Sequence, residues 1–189
     1  SACIDFANDF EGNLASLNST EMLDAVHRYE QIDLITGRIM SFAGLRYYQL
    51  TIDPNRAKFM SDMQDKITVS TTPLVFFSLE FNRLDEANLA ALCAQNTDLA
   101  RYMPVFKRMR AMKPYQLSDE LEKFLHDQSV VGTAAWNRLF DETVAGLVFV
   151  IEGDKLPLEA AANKLSDQNR NTREVAARQI ASVLGNNIG

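Results

Sequence analysis

The residues of this chain that we consider for catalysis are its two histidines, its two cysteines and one of its 25 acidic residues, Glu80. His27 lies in HRYEQ and His126 in HDQSV. Neither belongs to an H-E-x-x-H motif, which would place two imidazoles one helical turn apart around a zinc ion. The two histidines are far apart in the sequence, and neither has a cysteine or carboxylate cluster at ligand spacing. We therefore interpret both as surface or helix-end histidines and predict no metal ligand in the chain.

The cysteines and the carboxylate also lack partners at a useful spacing. Cys3 and Cys93 form no metal or redox motif, so we predict small buried or half-buried thiols in a reduced compartment. Glu80 lies in the apolar stretch LVFFSLEF, and a buried carboxylate either has a partner or takes a raised pKa that could serve catalysis. Without a second acid nearby, we interpret Glu80 as structural, in an ion pair or partly exposed. We predict no catalytic and no cofactor-binding residue.

Composition excludes several classes of protein. The chain has 189 residues, of which 47% are hydrophobic, so it can bury a substantial core. A net charge of −6 argues against nucleic-acid binding, which requires a basic face. No apolar run is long enough to span a membrane, and SACIDFANDF does not resemble a secretion signal. The chain also lacks an initiator methionine, and we expect it to be processed, tagged or cut from something longer.

The apolar spacing predicts a mainly α fold, an antiparallel bundle or array of about eight helices. Asn18-Ser19-Thr20-Glu21 predicts a helix start, with the helix running toward Ile32, and a second helix is expected over 33–50. In that second helix, one face carries Ile35, Ile39 and Phe42. Asp53-Pro54 predicts the start of a long core-facing helix that reaches Leu84 and kinks at Pro73. Shorter helices are expected over 85–95, 97–112, from Ser118, around Trp136, over 158–165 and from Asn171 to Gly185.

One stretch departs from the helical pattern. LVFVIEGDKLPL, about residues 147–158, combines β-branched and aromatic residues with turn residues, which predicts one small β-hairpin. We expect a two-residue turn at Gly153-Asp154 and a pair between Glu152 and Lys155 across it. We treat 1–189 as one helical unit, with a finer division into a long-helix part, 1–112, and a second part, 113–189.

Three aromatic pairs have two interpretations. Tyr47-Tyr48, Phe76-Phe77 and Trp136-Phe140 could line a groove for apolar peptide side chains, although such residues at helical spacing usually form a core. Because adjacent residues on a helix cannot both face one core, we expect Tyr47 or Tyr48 to meet solvent or a partner.

Several segments in succession resemble the N-terminal region of oligoendopeptidase F. They are PLVFFSLEFNRLDEANL, LARYMPVFKRMRAMKPYQLSDELEKFL, AAWNRLFDETVAGLVF and EGDKLPLEAAANKLSDQNRNTREVAARQIASVL. The resemblance extends over most of the chain, from Phe6 to Leu184. It departs from the family at Tyr115, where a histidine often follows the proline, and at the opening, which lacks a Trp-containing segment. The family's H-E-x-x-H motif has no counterpart here, so no zinc or catalytic residue is carried over to this chain.

The resemblance implies a function for a larger parent. That parent would be a cytoplasmic zinc metalloendopeptidase that hydrolyses short peptides, with zinc bound in a catalytic half outside this chain. This part would form one wall of a channel that restricts access to the zinc site, and by itself it would be inactive. An apolar face covered by the catalytic half would be exposed here and would favour self-association. The alternative is a stand-alone helical protein-interaction module without enzymatic activity.

Overall fold

Helices make up most of the chain, as the sequence predicts, and one β-hairpin interrupts them near the C-terminal end. The computed structural model describes residues 1–187. Short 3-10 turns at Leu14–Ser16, Thr72–Leu74, Lys113–Tyr115 and Lys164–Ser166 separate several of the helices. In chain order the elements of this part are α1 (Ala2–Phe10), α2 (Ser19–Tyr48), α3 (Pro54–Thr71), α4 (Val75–Arg83), α5 (Glu86–Gln95), α6 (Thr97–Ala100), α7 (Met103–Arg110), α8 (Asp119–Gln128), α9 (Thr133–Ala145), β1 (Phe149–Ile151), β2 (Asp154–Leu156), α10 (Leu158–Asn163) and α11 (Arg170–Asn186).

Helix α1 lies at the centre of the main core, although the sequence pattern did not predict it as an element. Phe6 is fully buried, and Phe10, one turn later, is also buried. The ring of Phe6 lies 5.5 Å from that of Phe77 and 6.0 Å from that of Tyr29, measured between centroids. This aromatic cluster joins α1 to α2 and α4, so the first ten residues are an integral part of the fold.

Helix α2 is a single helix, and the prediction of two helices meeting near Ile32 is wrong. Its start is as predicted: the Asn18 side chain accepts from the backbone N–H of Glu21, and the Glu21 carboxylate accepts from the backbone N–H of Asn18. No proline interrupts the 30 residues that follow, so the helix continues for roughly 45 Å. Its first half packs into the main core, while its second half packs along α3.

Pro73 divides the predicted long helix into separate elements. The 3-10 turn Thr72–Leu74 replaces α-helical geometry at the position where the sequence predicts a kink. Helix α4, after the break, buries Phe76, Phe77 and Phe81. Helix α3, before it, has no fully buried residue, so the prediction that this half faces the core is wrong. Instead, the five-residue connection after α2 makes α3 an antiparallel neighbour of that helix.

The hairpin has the predicted location but a different turn. Phe149 pairs with Leu156 and Ile151 with Asp154, so Glu152 and Gly153 are the turn residues. Both have positive φ, 55° and 95°, as a type I′ turn requires. The predicted Gly153-Asp154 turn and the Glu152–Lys155 pair are therefore wrong.

A hydrogen bond to α11 contributes to holding Glu152 at its positive φ. Its carboxylate accepts from the hydroxyl of Thr172 at 2.7 Å, and this contact holds the turn against the last helix. A second, smaller core lies beneath the hairpin, where Phe149, Ile151, Ala161 and Ala176 are buried together. The division at residue 112 stays a prediction, and the last two residues of the proposed 1–189 unit lie outside the described part.

Candidate interaction surface

Helix α8 is amphipathic, but its polar side faces the protein body. Asp119 forms an ion pair with Arg83, and Lys123 Nζ lies 3.0 Å from Glu11 Oε1. One turn further on, Asp127 accepts from the hydroxyl of Thr72 at 2.6 Å. These positions repeat at helical spacing along one face. Helix α8 is therefore attached largely through polar and charged contacts to α4, to the Thr72–Leu74 turn and to the segment after α1.

The opposite side of α8 is apolar and exposed to solvent. Leu121, Phe124 and Leu125 are 51%, 56% and 50% exposed. A surface helix of a globular protein normally shows the reverse arrangement, with its apolar stripe on the core. An apolar stripe that points outward is typical of a surface that another protein segment covers.

Two further helices expose apolar strips. On α9, Trp136, Leu139 and Phe140 are 69%, 53% and 67% exposed, and no residue of this helix is fully buried. On the second half of α2, the predicted Ile35, Ile39 and Phe42 face is present but points to solvent. We call these two sets, together with the α8 set, the three apolar strips; their members are Ile35, Ile39, Phe42, Leu121, Phe124, Leu125, Trp136, Leu139 and Phe140.

The other aromatic pairs divide between core and surface. Phe76 and Phe77 are 2% and 3% exposed and belong to the main core. Tyr47 is 3% exposed and Tyr48 63%, which confirms that one of the two adjacent tyrosines meets solvent.

The two histidines contact different elements. His27, on α2, is exposed and packs edge-on against the ring of Tyr102, with 5.9 Å between ring centroids. His126 Nε2 lies 3.2 Å from Thr71 Oγ1 and 3.3 Å from the carbonyl oxygen of Thr68, linking α8 to the end of α3. Residues 1–187 contain no group of three or more histidine, cysteine or acidic side chains placed to hold a metal ion.

Glu80 has a structural partner. Its Oε1 accepts from the backbone N–H of Gly12 at 2.7 Å. Gly12 has a φ of 82°, so this contact stabilises the sharp turn after α1 and attaches it to α4. Glu80 is half-buried, which agrees with the partly exposed alternative, and its partner is a backbone donor rather than the cation of an ion pair.

The cysteines are buried, as predicted. Burial raises the pKa of the Cys3 thiol and of the Cys93 thiol above the usual value, which lowers the thiolate fraction at neutral pH. The Sγ of Cys93 contacts the Sδ of Met103 at 3.5 Å. Both thiols therefore behave as small apolar side chains of the core.

The attachment of α8 gives a testable pH dependence. The Arg83 guanidinium lowers the pKa of Asp119 below its ordinary value of 3.8. A carboxyl whose folded-state pKa is lowered contributes stability above its unfolded-state pKa, and this contribution disappears as the pH falls through the folded-state pKa. Because the pair is about half exposed, we expect Asp119→Asn to cost a few tenths to about 1 kcal/mol near neutral pH.

Urea unfolding of the wild-type protein and of Asp119→Asn measures this difference in the free energy of unfolding. It should be present at about pH 7 and should decrease as the pH falls below 3.8 and the wild-type carboxyl becomes protonated as well. Glu120→Gln is the control, because it removes a charge from the same helical turn and Glu120 forms no ion pair within residues 1–187. A cost for Asp119→Asn that is independent of pH would contradict the assignment.

Comparisons with known proteins test the resemblance to oligoendopeptidase F. A sequence profile described as Oligopeptidase F matches residues 80–149, which extend from α4 to the start of β1 and include α8 and α9. A comparison with curated proteins gives no match. The crystal structure of oligoendopeptidase-F from Enterococcus faecium superposes over 97% of this chain with a TM-score of 0.77 and 19% identity. The resemblance to oligoendopeptidase F is confirmed.

The chain corresponds to part of the oligoendopeptidase. This chain spans 36% of the length of the Enterococcus faecium chain, and at 19% identity the likeness shows a shared fold. The sequence profile covers α8 and α9, two of the three helices that carry the outward apolar strips. Tyr115, the position of the sequence departure from the family, is 74% exposed in the Lys113–Tyr115 turn. None of the helices in the described part is long and apolar enough to cross a membrane.

Proposed function

We propose that this chain is the N-terminal helical domain of an oligoendopeptidase F-like zinc metalloendopeptidase of the cytoplasm that hydrolyses short peptides. In this proposal the chain forms one wall of the channel leading to the active site. The observation that carries the proposal is the outward apolar side of α8 and α9. Both helices lie within the segment that matches the oligopeptidase F profile. A larger catalytic part that covers these helices would bury their apolar surface, as a channel wall built from two parts of one chain requires.

Zinc would be bound outside the described residues. A catalytic zinc site needs three protein ligands, typically imidazoles and carboxylates, that converge on one point. His27 and His126 contact Tyr102 and the end of α3 respectively, and the described chain offers no cluster of suitable ligands. The donor set present in residues 1–187 therefore does not fit a zinc peptidase centre, and the proposal assigns this part no step of hydrolysis.

Self-association of the separate chain follows from the same proposal. Without the catalytic part, the three apolar strips face water. Exposed apolar patches of this kind promote association of a protein with itself. We propose that the strips of α8 and α9 form this contact between copies.

Metal analysis combined with a peptide-cleavage assay tests the absence of the active site. The chain is purified in the presence of zinc, dialysed and analysed for bound metal. It is then incubated with quenched fluorescent peptides of mixed sequence. We expect less than about 0.1 zinc per chain and no cleavage above buffer, because residues 1–187 contain no set of converging ligands. Stoichiometric zinc or turnover would contradict the proposal.

The coding sequence tests the proposed parent. We expect the reading frame to continue beyond Gly189 and to encode an H-E-x-x-H motif downstream. A stop codon directly after Gly189 would overturn the peptidase assignment.

A further inference from the structure

A polar pocket lies where α9 meets the end of α2 and the middle of α3. Its lining residues belong neither to the main core nor to the smaller core beneath the hairpin. Its volume is about 330 Å³, and its lining residues come from all three helices and the turn before α9. Gln64, Asn137, Arg138 and Asp141 supply polar and charged groups, and Met60 and Tyr48 supply apolar surface. Pockets that bind small molecules commonly combine a few directed polar groups with apolar walls.

The Tyr47 hydroxyl is a buried polar group of this pocket. The tyrosine is 3% exposed, and its oxygen has no hydrogen-bond partner within the described residues. A buried hydroxyl without a partner costs free energy, so native proteins rarely leave one without a compensating role. Because Tyr47 lines the pocket, a ligand there could supply the missing hydrogen bond.

Two opposite charges on α9 also have no ion-pair partner in the described part of the chain. Arg138 and Asp141 are three residues apart, so they lie on the same side of the helix and both line the pocket. Neither makes an ion pair within 4.0 Å in residues 1–187. Both act on the same phenol: burial raises the pKa of Tyr47, Asp141 and Glu142 raise it further, and Arg138 lowers it. A cationic and an anionic group therefore flank one buried hydroxyl.

We propose that this pocket binds a small zwitterion, either a free α-amino acid or a dipeptide. Arg138 and the Tyr47 hydroxyl donate to its carboxylate, and Asp141 accepts from its ammonium group. An apolar side chain of the ligand lies against Tyr48 and Met60. Guanidinium groups bind carboxylates well because their donors can form two parallel hydrogen bonds. A ligand with both charges satisfies Arg138 and Asp141 together, which a simple anion or cation does not.

Calorimetric titration of the full chain with leucine and with glycylleucine tests the proposal. A ligand of this size is expected to bind with a Kd between about 10 μM and 1 mM. Binding of leucine alone assigns the site to free amino acids, and binding of glycylleucine alone assigns it to dipeptides. N-acetylleucine lacks the ammonium and leucinamide lacks the carboxylate, so each should bind about tenfold more weakly or worse. The absence of saturable binding of both zwitterions at about 10 mM overturns the proposal.

Two variants assign the binding to this pocket. Arg138→Met keeps most of the side-chain volume and should weaken binding about tenfold or more, because it removes a charged donor. Arg101→Met is the matched control, since Arg101 is a largely exposed arginine outside this pocket, and it should leave the Kd unchanged. Unchanged binding in Arg138→Met overturns the proposal.

Tyr47→Phe separates ligand binding from folding. It removes a buried hydroxyl that has no partner in the described chain, so the Tm should stay the same or rise. The same variant should bind the zwitterion several-fold more weakly, because one donor to the carboxylate is lost. A lower Tm with unchanged Kd would show that the hydroxyl serves the fold, and it would overturn this part of the assignment.

Discussion

Replacing Phe6 by Ala is expected to lower the free energy of unfolding by about 3–5 kcal/mol. Phe6 is fully buried, and its ring packs against the rings of Phe10 and Phe77 at centroid distances of 5.0 and 5.5 Å. Alanine would leave a cavity where α1, α2 and α4 meet, and neighbouring aromatic rings cannot fill it without moving from their rotamers. Because the total stability of a domain is about 5–15 kcal/mol, this single change removes a large part of it.

Phe140→Ala is the matched control. It makes the same substitution at a residue that is 67% exposed on α9. Its cost should stay within about 0.5 kcal/mol, because most of the Phe140 side chain is in contact with water in the folded as well as in the unfolded chain. Urea unfolding followed by circular dichroism, at a concentration where the chain is monomeric, measures both values. Equal costs for the two variants would show that α1 is not part of the core.

Replacing Trp136 by Asp is expected to weaken self-association of the chain by at least about 30-fold, corresponding to a loss of 2 kcal/mol or more per contact. Trp136 is 69% exposed on the apolar side of α9. Tryptophan dominates the binding energy of many interfaces because its large surface becomes fully desolvated in the complex. A carboxylate at this position would instead have to be desolvated without a partner. Sedimentation velocity over a range of concentrations measures the effect.

Tyr115→Asp is the control for the association experiment. Tyr115 is 74% exposed and lies in the turn before α8, outside the three apolar strips. It adds the same charge in place of an exposed aromatic ring, so it should leave association unchanged. Unchanged association in Trp136→Asp, or an equal loss in both variants, would contradict the proposed contact. A wild-type chain that sediments as a monomer at all concentrations would contradict self-association itself.

The sequence predicts local structure well wherever a few neighbouring residues determine it. Asn18, Asp53 and Asp85 each cap a helix by accepting from backbone N–H groups two or three residues later. Pro73 breaks its helix because it lacks a backbone donor, whatever lies around it. The hairpin is also found where its composition predicts it, but its turn moves by one residue. The contact of Glu152 with Thr172, 20 positions away, contributes to that shift and leaves no local signal.

The candidate site was less predictable than the fold. The apolar periodicity of α2, α8 and α9 shows that each helix has an apolar side. The same pattern results whether that side meets the core, a partner or solvent. The zwitterion pocket was missed for a related reason, since Tyr47, Gln64 and Arg138 are far apart in the sequence and belong to no motif. Their common location could be seen only once α9 had been placed beside α2 and α3.

By itself the sequence determined a mainly α fold, the caps at Asn18 and Asp53, the distortion at Pro73, the hairpin and the resemblance to oligoendopeptidase F. Only the tertiary structure decided that α1 lies in the core, that α3 does not face it, and that α8 is attached through its polar side. The physical reason is the range of the forces involved. Capping and backbone restrictions act within a few residues, whereas burial depends on which distant surfaces come together.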